Sequence, residues 1–290
     1  MAKLRISVVE YLNTAPLVWG FTEGSLKGKY ELSFTVPSLC AEALRSGQAE
    51  VAIIPAVEYQ RMDDVVVLPD ISIATKRDVR SILVIGKKPI EEARRIALDS
   101  SSRSSAALVR LLCGRRWRIA PEFVEAKPDP AAMLRDADAA LVIGDPALRI
   151  SVLMESLNSG GGATEWPVPG VESLYCYDVG EQWKAMTGRP CVLAFWAARR
   201  EAATPDVVAD FAASKAEGMA HLPEIAAVAS AKLKLPAATL EQYLRVHIDY
   251  GLDKECQQGL SLYYGLCAEA GLIPKAKPVE FATAAAAKAK

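Results

Sequence analysis

The chain has 290 residues, of which 51% are hydrophobic and 24% charged, and 34 Lys and Arg against 35 Asp and Glu leave a formal net charge of −1. That is one or two globular domains able to bury about three quarters of the unfolded surface without a disulfide or metal staple, so global disorder is excluded. Near-neutral charge also argues against a general nucleic-acid binder, which carries a basic stripe.

Residues 4–9 read as a first strand, directly behind Met-Ala-Lys. No charged-then-apolar leader precedes it and no run of about 18 apolar residues follows, so a cytoplasmic protein without membrane partners is expected. Asn13 or Thr14 can cap a following helix with Pro16 in its first turn. Residues 32–36 read as a strand and 38–45 as a helix, with Ser38 as its cap and Gly47 just past its end. Further strands are expected at 51–54 (closed by Pro55), 65–68, 81–85 and 95–98. A Ser-rich turn then leads into a helix at 104–113, followed by strands at 122–124 and 139–143. Gly160-Gly161-Gly162 reads as a flexible loop. From Pro205 the pattern turns helical, over 205–220, 223–233, 237–246 and 254–270, and the Ala/Lys tail 282–290 carries no assigned role. The alternation of strands and helices predicts an α/β fold with largely parallel sheets. Two helix–tight turn–strand units, at 42–54 and 130–143, point to two similar lobes.

Cys40, Cys113, Cys176, Cys191, Cys256 and Cys267 show no C-x-x-C spacing, and the only histidines are His221 and His247. A zinc site is therefore not expected, and the cysteines read as small buried residues in a reducing compartment. The histidines read as packed or surface residues, and Trp166, Trp183, Trp196, Tyr175 and Tyr177 as mostly core. No G-x-S-x-G elbow and no P-loop occur.

Three segments can carry chemistry. Tyr11-Leu12-Asn13-Thr14 follows the first strand, where open α/β sheets bind ligands; Asn13 offers donors and an acceptor, or simply caps the next helix. Ser100 to Ser105 gathers five hydroxyls and Arg103 at a helix start, where the dipole favours an anion and Arg can clamp a carboxylate, unless the loop is only a solvated cap. Gly144-Asp145 follows the strand 139–143, and Asp145 either meets a ligand hydroxyl or caps the next helix. Arg80-Ser81 is uninformative alone.

Together these segments resemble the chorismate dehydratases of the futalosine route to menaquinone. The matching stretches are Tyr11-Leu12-Asn13 with Pro16-Leu17, Leu68-Pro69-Asp70-Ile71, Arg80-Ser81, Ser100 to Ser105, Leu141 to Arg149, Tyr177-Asp178, Trp183 through Gly188, and Ala194 to Arg200. They span about residues 4–273. Arg189-Pro190-Cys191 departs from the Leu-Pro-Phe of the family and puts the local pocket wall in question. A sister family of the same fold, the dihydroxynaphthoate synthases, uses a catalytic histidine; here no histidine precedes His221, which favours the dehydratase.

The resemblance implies a two-lobed fold of the periplasmic binding protein type II kind, with mixed sheets flanked by helices and a cleft between lobes. It places lobe one at 1–86 plus 192–290 and lobe two at 87–191, with crossings near Gly86–Lys88 and near 191–195. It implies no metal and no cofactor. Asn13, Ser81 and Asp145 are the implied catalytic residues. Tyr11, Ser101, Ser102, Arg103, Ser104, Ser105 and Gly144 would bind substrate, with the serines and Arg103 holding one carboxylate. No side chain stands out as a base, so the enolpyruvyl carboxylate of chorismate itself is one possible proton acceptor. The competing reading is a cytosolic, non-catalytic binding protein for a small carboxylate.

Overall fold

Two five-stranded sheets organise the chain, and the strand order is the same in both. The computed structural model describes residues 3–159, 166–171 and 174–283; the Gly160-Gly161-Gly162 loop and tail residues 284–290 lie outside them. In chain order the elements are β1 (Arg5–Val9), a single 3-10 turn (Leu12–Thr14), α1 (Ala15–Thr22), β2 (Glu31–Thr35), α2 (Pro37–Ser46), β3 (Val51–Pro55), the one-turn α3 (Ala56–Tyr59) and the long β4 (Val65–Thr75). Next come β5 (Ile82–Gly86), β6 (Arg95–Asp99), α4 (Arg103–Leu112), β7 (Glu122–Ala126), α5 (Pro130–Asp136), β8 (Ala139–Ile143), α6 (Gly144–Asn158), β9 (Tyr175–Asp178) and α7 (Val179–Thr187). The chain closes with β10 (Cys191–Arg199), α8 (Pro205–Ala220), α9 (Leu222–Leu233), α10 (Ala237–Gln242) and α11 (Lys254–Glu269).

The first sheet runs β2-β1-β3-β10-β4 and the second β7-β6-β8-β5-β9. β1 pairs in parallel with β2 and β3, and β6 in parallel with β7 and β8. β10 and β5 are antiparallel to both of their neighbours. The sheets are thus mixed rather than largely parallel, because each takes one strand that arrives from the other lobe and enters it reversed. β3, β5 and β8 are buried along their whole length, as strands covered by helices on both faces must be.

Three expectations are corrected here. Residues 82–86 were placed in lobe one, yet β5 pairs with β8 and β9 in the second sheet, so the first crossing falls at 76–81 and not at Gly86–Lys88. An all-apolar strand does not declare which sheet it joins. β4 does not stop at Leu68 but continues to Thr75, because the pairing with β10 skips a register and bulges out Pro69 and Asp70, the latter at φ 58°. The cap of α2 is Val36 with Pro37 at the first position, not Ser38; Gly47 ends the helix in the left-handed region at φ 75°, as expected.

Trp183, Trp196, Phe195 and Phe211 are fully buried core, with Trp196 and Phe211 edge to face at 4.8 Å. Trp166 and Tyr175 are exposed. Five of the cysteines are buried thiols and Cys176 is exposed, a departure from the uniform burial expected. Asp249, Asp253 and Cys256 come close together, but Lys76 sits between the carboxylates at 2.9 and 2.7 Å and supplies the positive charge there. Among the described residues no helix is long and apolar enough to cross a membrane.

Candidate active site

The C-terminal ends of β1 and β8 point at one another across the gap between the sheets. A cavity of about 60 Å³ lies there, bounded by Val9, Ile73, Ile143 and Leu193 on its apolar sides. Its polar lining comes from Tyr11, Asn13, Ser81, Ser102, Ser104 and Ser105, with Gly144 completing the wall. Seven of the ten residues singled out from the sequence therefore meet in one place. None of the described residues lining the cavity is charged. Its polar character comes from hydroxyls and an amide; α2 opens on Pro37 and gives Ser38 N–H to Ser101 O, and α6 gives Gly144 N–H to Ser81 O, which leaves the start of α4 as the helix N-terminus on the wall.

Asn13 sits in the 3-10 turn behind β1 and caps nothing; its side-chain carbonyl accepts from the Thr14 hydroxyl at 3.3 Å. Ser102 stands at the cap position of α4, but its hydroxyl makes no capping bond. Ser101, Ser102, Ser104 and Ser105 are all buried, so this is not a solvated capping loop. Tyr11 is a neutral phenol at ordinary pH, pushed up to about 12 by burial. Its ring packs against Gly144, where a Cβ would stand 2.6 Å from the ring and φ is 67°.

Three of the ten are elsewhere. Arg103 is exposed at the first position of α4 and faces an outer groove with Arg61 and Arg110, so it does not clamp a carboxylate in the cavity. Successive residues on a helix turn by about 100°, and Ser104 and Ser105 take the inward directions. Ser101 points back into its own lobe, where its hydroxyl donates to Asp99 Oδ1 at 2.6 Å and lies within hydrogen-bonding reach of Tyr11. Asp145 is off the cavity wall, and its Oδ1 accepts from the Leu12 N–H at 2.9 Å. Burial is the main cause raising its carboxyl above the ordinary range.

The Asp145 bond is one of several that tie the lobes together around the cavity, another being Tyr263 O–H to Ser104 O at 3.1 Å. Ser38 N–H donates to Ser101 O at 3.1 Å, and Val57 N–H to Ser104 Oγ at 3.2 Å. With these bonds made the lobes are closed, and the 60 Å³ between them is smaller than the roughly 300–1,000 Å³ of common small-ligand pockets, so the lobes must part to admit a substrate.

Sequence reasoning missed the support of Ser81. Arg80 precedes it at φ 61°, a strained conformation for a side-chain-bearing residue. Asp178 holds that turn by accepting the N–H groups of Val79 at 2.9 Å and Arg80 at 2.6 Å, and at the same time caps α7 by accepting Glu181 N–H at 3.0 Å. Burial lifts its carboxyl to about 6 against those donors. Asp178→Ala leaves three N–H groups without their acceptor. It is expected to cost about 2–4 kcal/mol in denaturant unfolding and about tenfold in turnover through a displaced Ser81. Unchanged turnover in a destabilised variant would remove the link to Ser81. Arg189-Pro190-Cys191, the departure from the family, lies off the cavity: Pro190 O accepts from Trp183 Nε1 at 2.9 Å and Cys191 opens β10. Neither His221 nor His247 lines the cavity.

Two lobes of matching topology, joined by two crossings and closed on a polar cavity, define a protein of the two-lobed periplasmic-binding-protein fold. Solved structures agree: protein AF1704 of Archaeoglobus fulgidus superposes with a TM-score of 0.72 over 93% of this chain and 98% of its own, at 19% identity. The periplasmic aliphatic sulphonate binding protein SsuA of Escherichia coli does so at 0.60 over 98% of this chain and 94% of its own, at 17% identity. Within that class, residues 4–269 match the menaquinone biosynthesis family, and the chain belongs to it. A chorismate dehydratase of Thermus thermophilus is 27% identical over 261 residues, 89% of this chain and 93% of that protein.

Proposed function

We propose that this protein removes water from chorismate to give 3-[(1-carboxyvinyl)oxy]benzoate, a step of menaquinone biosynthesis. The observation that carries the reading is the inter-lobe cavity lined by neutral hydroxyl and amide groups, in a chain of this family. Chorismate is a dianion with one ring hydroxyl. Its C3–H bond breaks, that electron pair forms a ring double bond, and the C4–O bond breaks with its pair leaving on hydroxide. Proton and hydroxide depart as water, and aromatisation drives the change. Such a reaction needs orientation and charge stabilisation more than a strong base. Ser102, Ser104, Ser105 and the α4 start hold one carboxylate, while Asn13 and Ser81 hold the leaving hydroxyl. No histidine or carboxylate side chain lines the cavity among the described residues, which supports the enolpyruvyl carboxylate of the substrate as the proton acceptor. Closure of the lobes excludes water and commits the substrate.

The test is purified protein mixed with chorismate and followed by liquid chromatography and mass spectrometry. A new aromatic species lighter by one water supports the enzyme. Chorismate bound but returned unchanged favours a non-catalytic carboxylate receptor instead. Asp145 separates the two proton routes. Asp145→Asn keeps an oxygen acceptor for Leu12 N–H and is expected to stay within about threefold of wild-type kcat. Asp145→Ala loses the latch and is expected to raise KM about tenfold with a smaller change in kcat. Abolished turnover in Asp145→Asn, with chorismate binding intact, would make Asp145 the base.

A further inference from the structure

Tyr243 belongs to neither of the β–α units that carry the cavity's polar groups. It opens the π turn Tyr243–His247 at the end of α10, and turns of this kind recur near functional sites. Its side chain is 1% exposed, and its hydroxyl donates to Ser81 Oγ at 2.8 Å. One buried phenol, off the cavity wall, therefore touches Ser81, one of the two residues assigned to the leaving hydroxyl.

We infer that Tyr243 is a positioning residue for the dehydration, which turns the hydrogen of Ser81 toward the substrate. This rests on the dehydratase reading. A neutral phenol has a single hydrogen, and here it is given to Ser81 Oγ. That acceptor position being filled, the hydrogen of Ser81 itself has two destinations: Val79 O, at a long 3.4 Å, or the cavity. The two bonds run in one direction, Tyr243 O–H to Ser81 O–H to the cavity, and the first strengthens the second. The departing C4 oxygen gains negative charge, so donors aimed at it before the reaction lower the barrier without reorganisation.

The experiment is steady-state kinetics with chorismate on the full chain as wild type, Tyr243→Phe, Ser81→Ala and the double variant, with thermal melts alongside. Tyr243→Phe keeps the ring that packs the core and removes only the hydroxyl. The expected result is a kcat lower by about 10- to 100-fold with KM within about twofold, because the lost contact matters most as the leaving oxygen charges. The double variant is expected to match Ser81→Ala, since Tyr243 acts through that hydroxyl. Wild-type kcat in Tyr243→Phe, or a lower melting temperature with kcat kept, overturns the inference and leaves a packing role. Losses that multiply in the double variant overturn it too. Absence of product from the wild-type protein instead overturns the dehydratase reading, and this inference with it.

Discussion

Asn13→Ala is expected to lower kcat for chorismate by about 10²–10³-fold, the scale seen when one preorganised donor is taken from a developing oxyanion. The melting temperature is expected to stay close to that of wild type. The reason for the split is local. The 3-10 turn at Leu12–Thr14 is held by backbone bonds, among them Thr14 N–H to Tyr11 O at 3.0 Å, and the Asn13 side chain caps no helix. Truncation removes one partner of the Thr14 hydroxyl and one donor to the cavity, and leaves the backbone where it was. Asn13→Asp sharpens the argument. It is nearly isosteric, but it replaces the NH2 donor with a carboxylate oxygen beside a dianionic substrate. In a closed cavity with no cationic side chain on its described wall, that repulsion is poorly screened. Asn13→Asp is therefore expected to be at least as slow as Asn13→Ala, with weaker chorismate binding. Asn13→Ala within about fivefold of wild type would place the leaving hydroxyl elsewhere.

What could be read beforehand follows from the range of the interaction involved. β3, β5 and β8 are apolar runs buried on both faces, and such runs announce themselves. β9, with the sequence Tyr-Cys-Tyr-Asp, is a half-exposed edge strand and has no such signature. The serine cluster, Asn13 and Ser81 sit where strands give way to turns and helices, and their gathering agrees with the rule that α/β ligands collect beyond strand ends. Arg103 and Asp145 lie off the cavity wall because residue type carries charge but not direction. One faces an outer groove, and the other spends its carboxylate on Leu12 N–H from the opposite lobe. The roles of Tyr243 and Asp178 are not legible because each acts on a residue about a hundred or more positions away, at separations of 162 and 98. No local pattern encodes such a contact.

Gly144→Ala is expected to reduce kcat/KM by about 10²-fold, equal to roughly 2.7 kcal/mol, with the loss in both kcat and KM. Two costs combine at this residue. Its φ of 67° strains any side chain, at about 1 kcal/mol or more. The added Cβ would also stand 2.6 Å from Cε1 and Cζ of Tyr11 and 2.7 Å from Cδ1. Tyr11 cannot yield cheaply, because it is packed against the core and its phenol lies beside Ser101. The strain is relieved by parting the lobes, which loosens the Leu12–Asp145 contact one residue away and admits water to the cavity. Gly144 N–H also donates to Ser81 O at 2.8 Å, so a shift of Gly144 carries Ser81 with it. A double-variant cycle isolates the clash. In a Tyr11→Ala background the ring is gone, and adding Gly144→Ala is expected to cost only the backbone strain, about fivefold or less. An equal hundredfold loss in both backgrounds would show that Tyr11 does not transmit the effect.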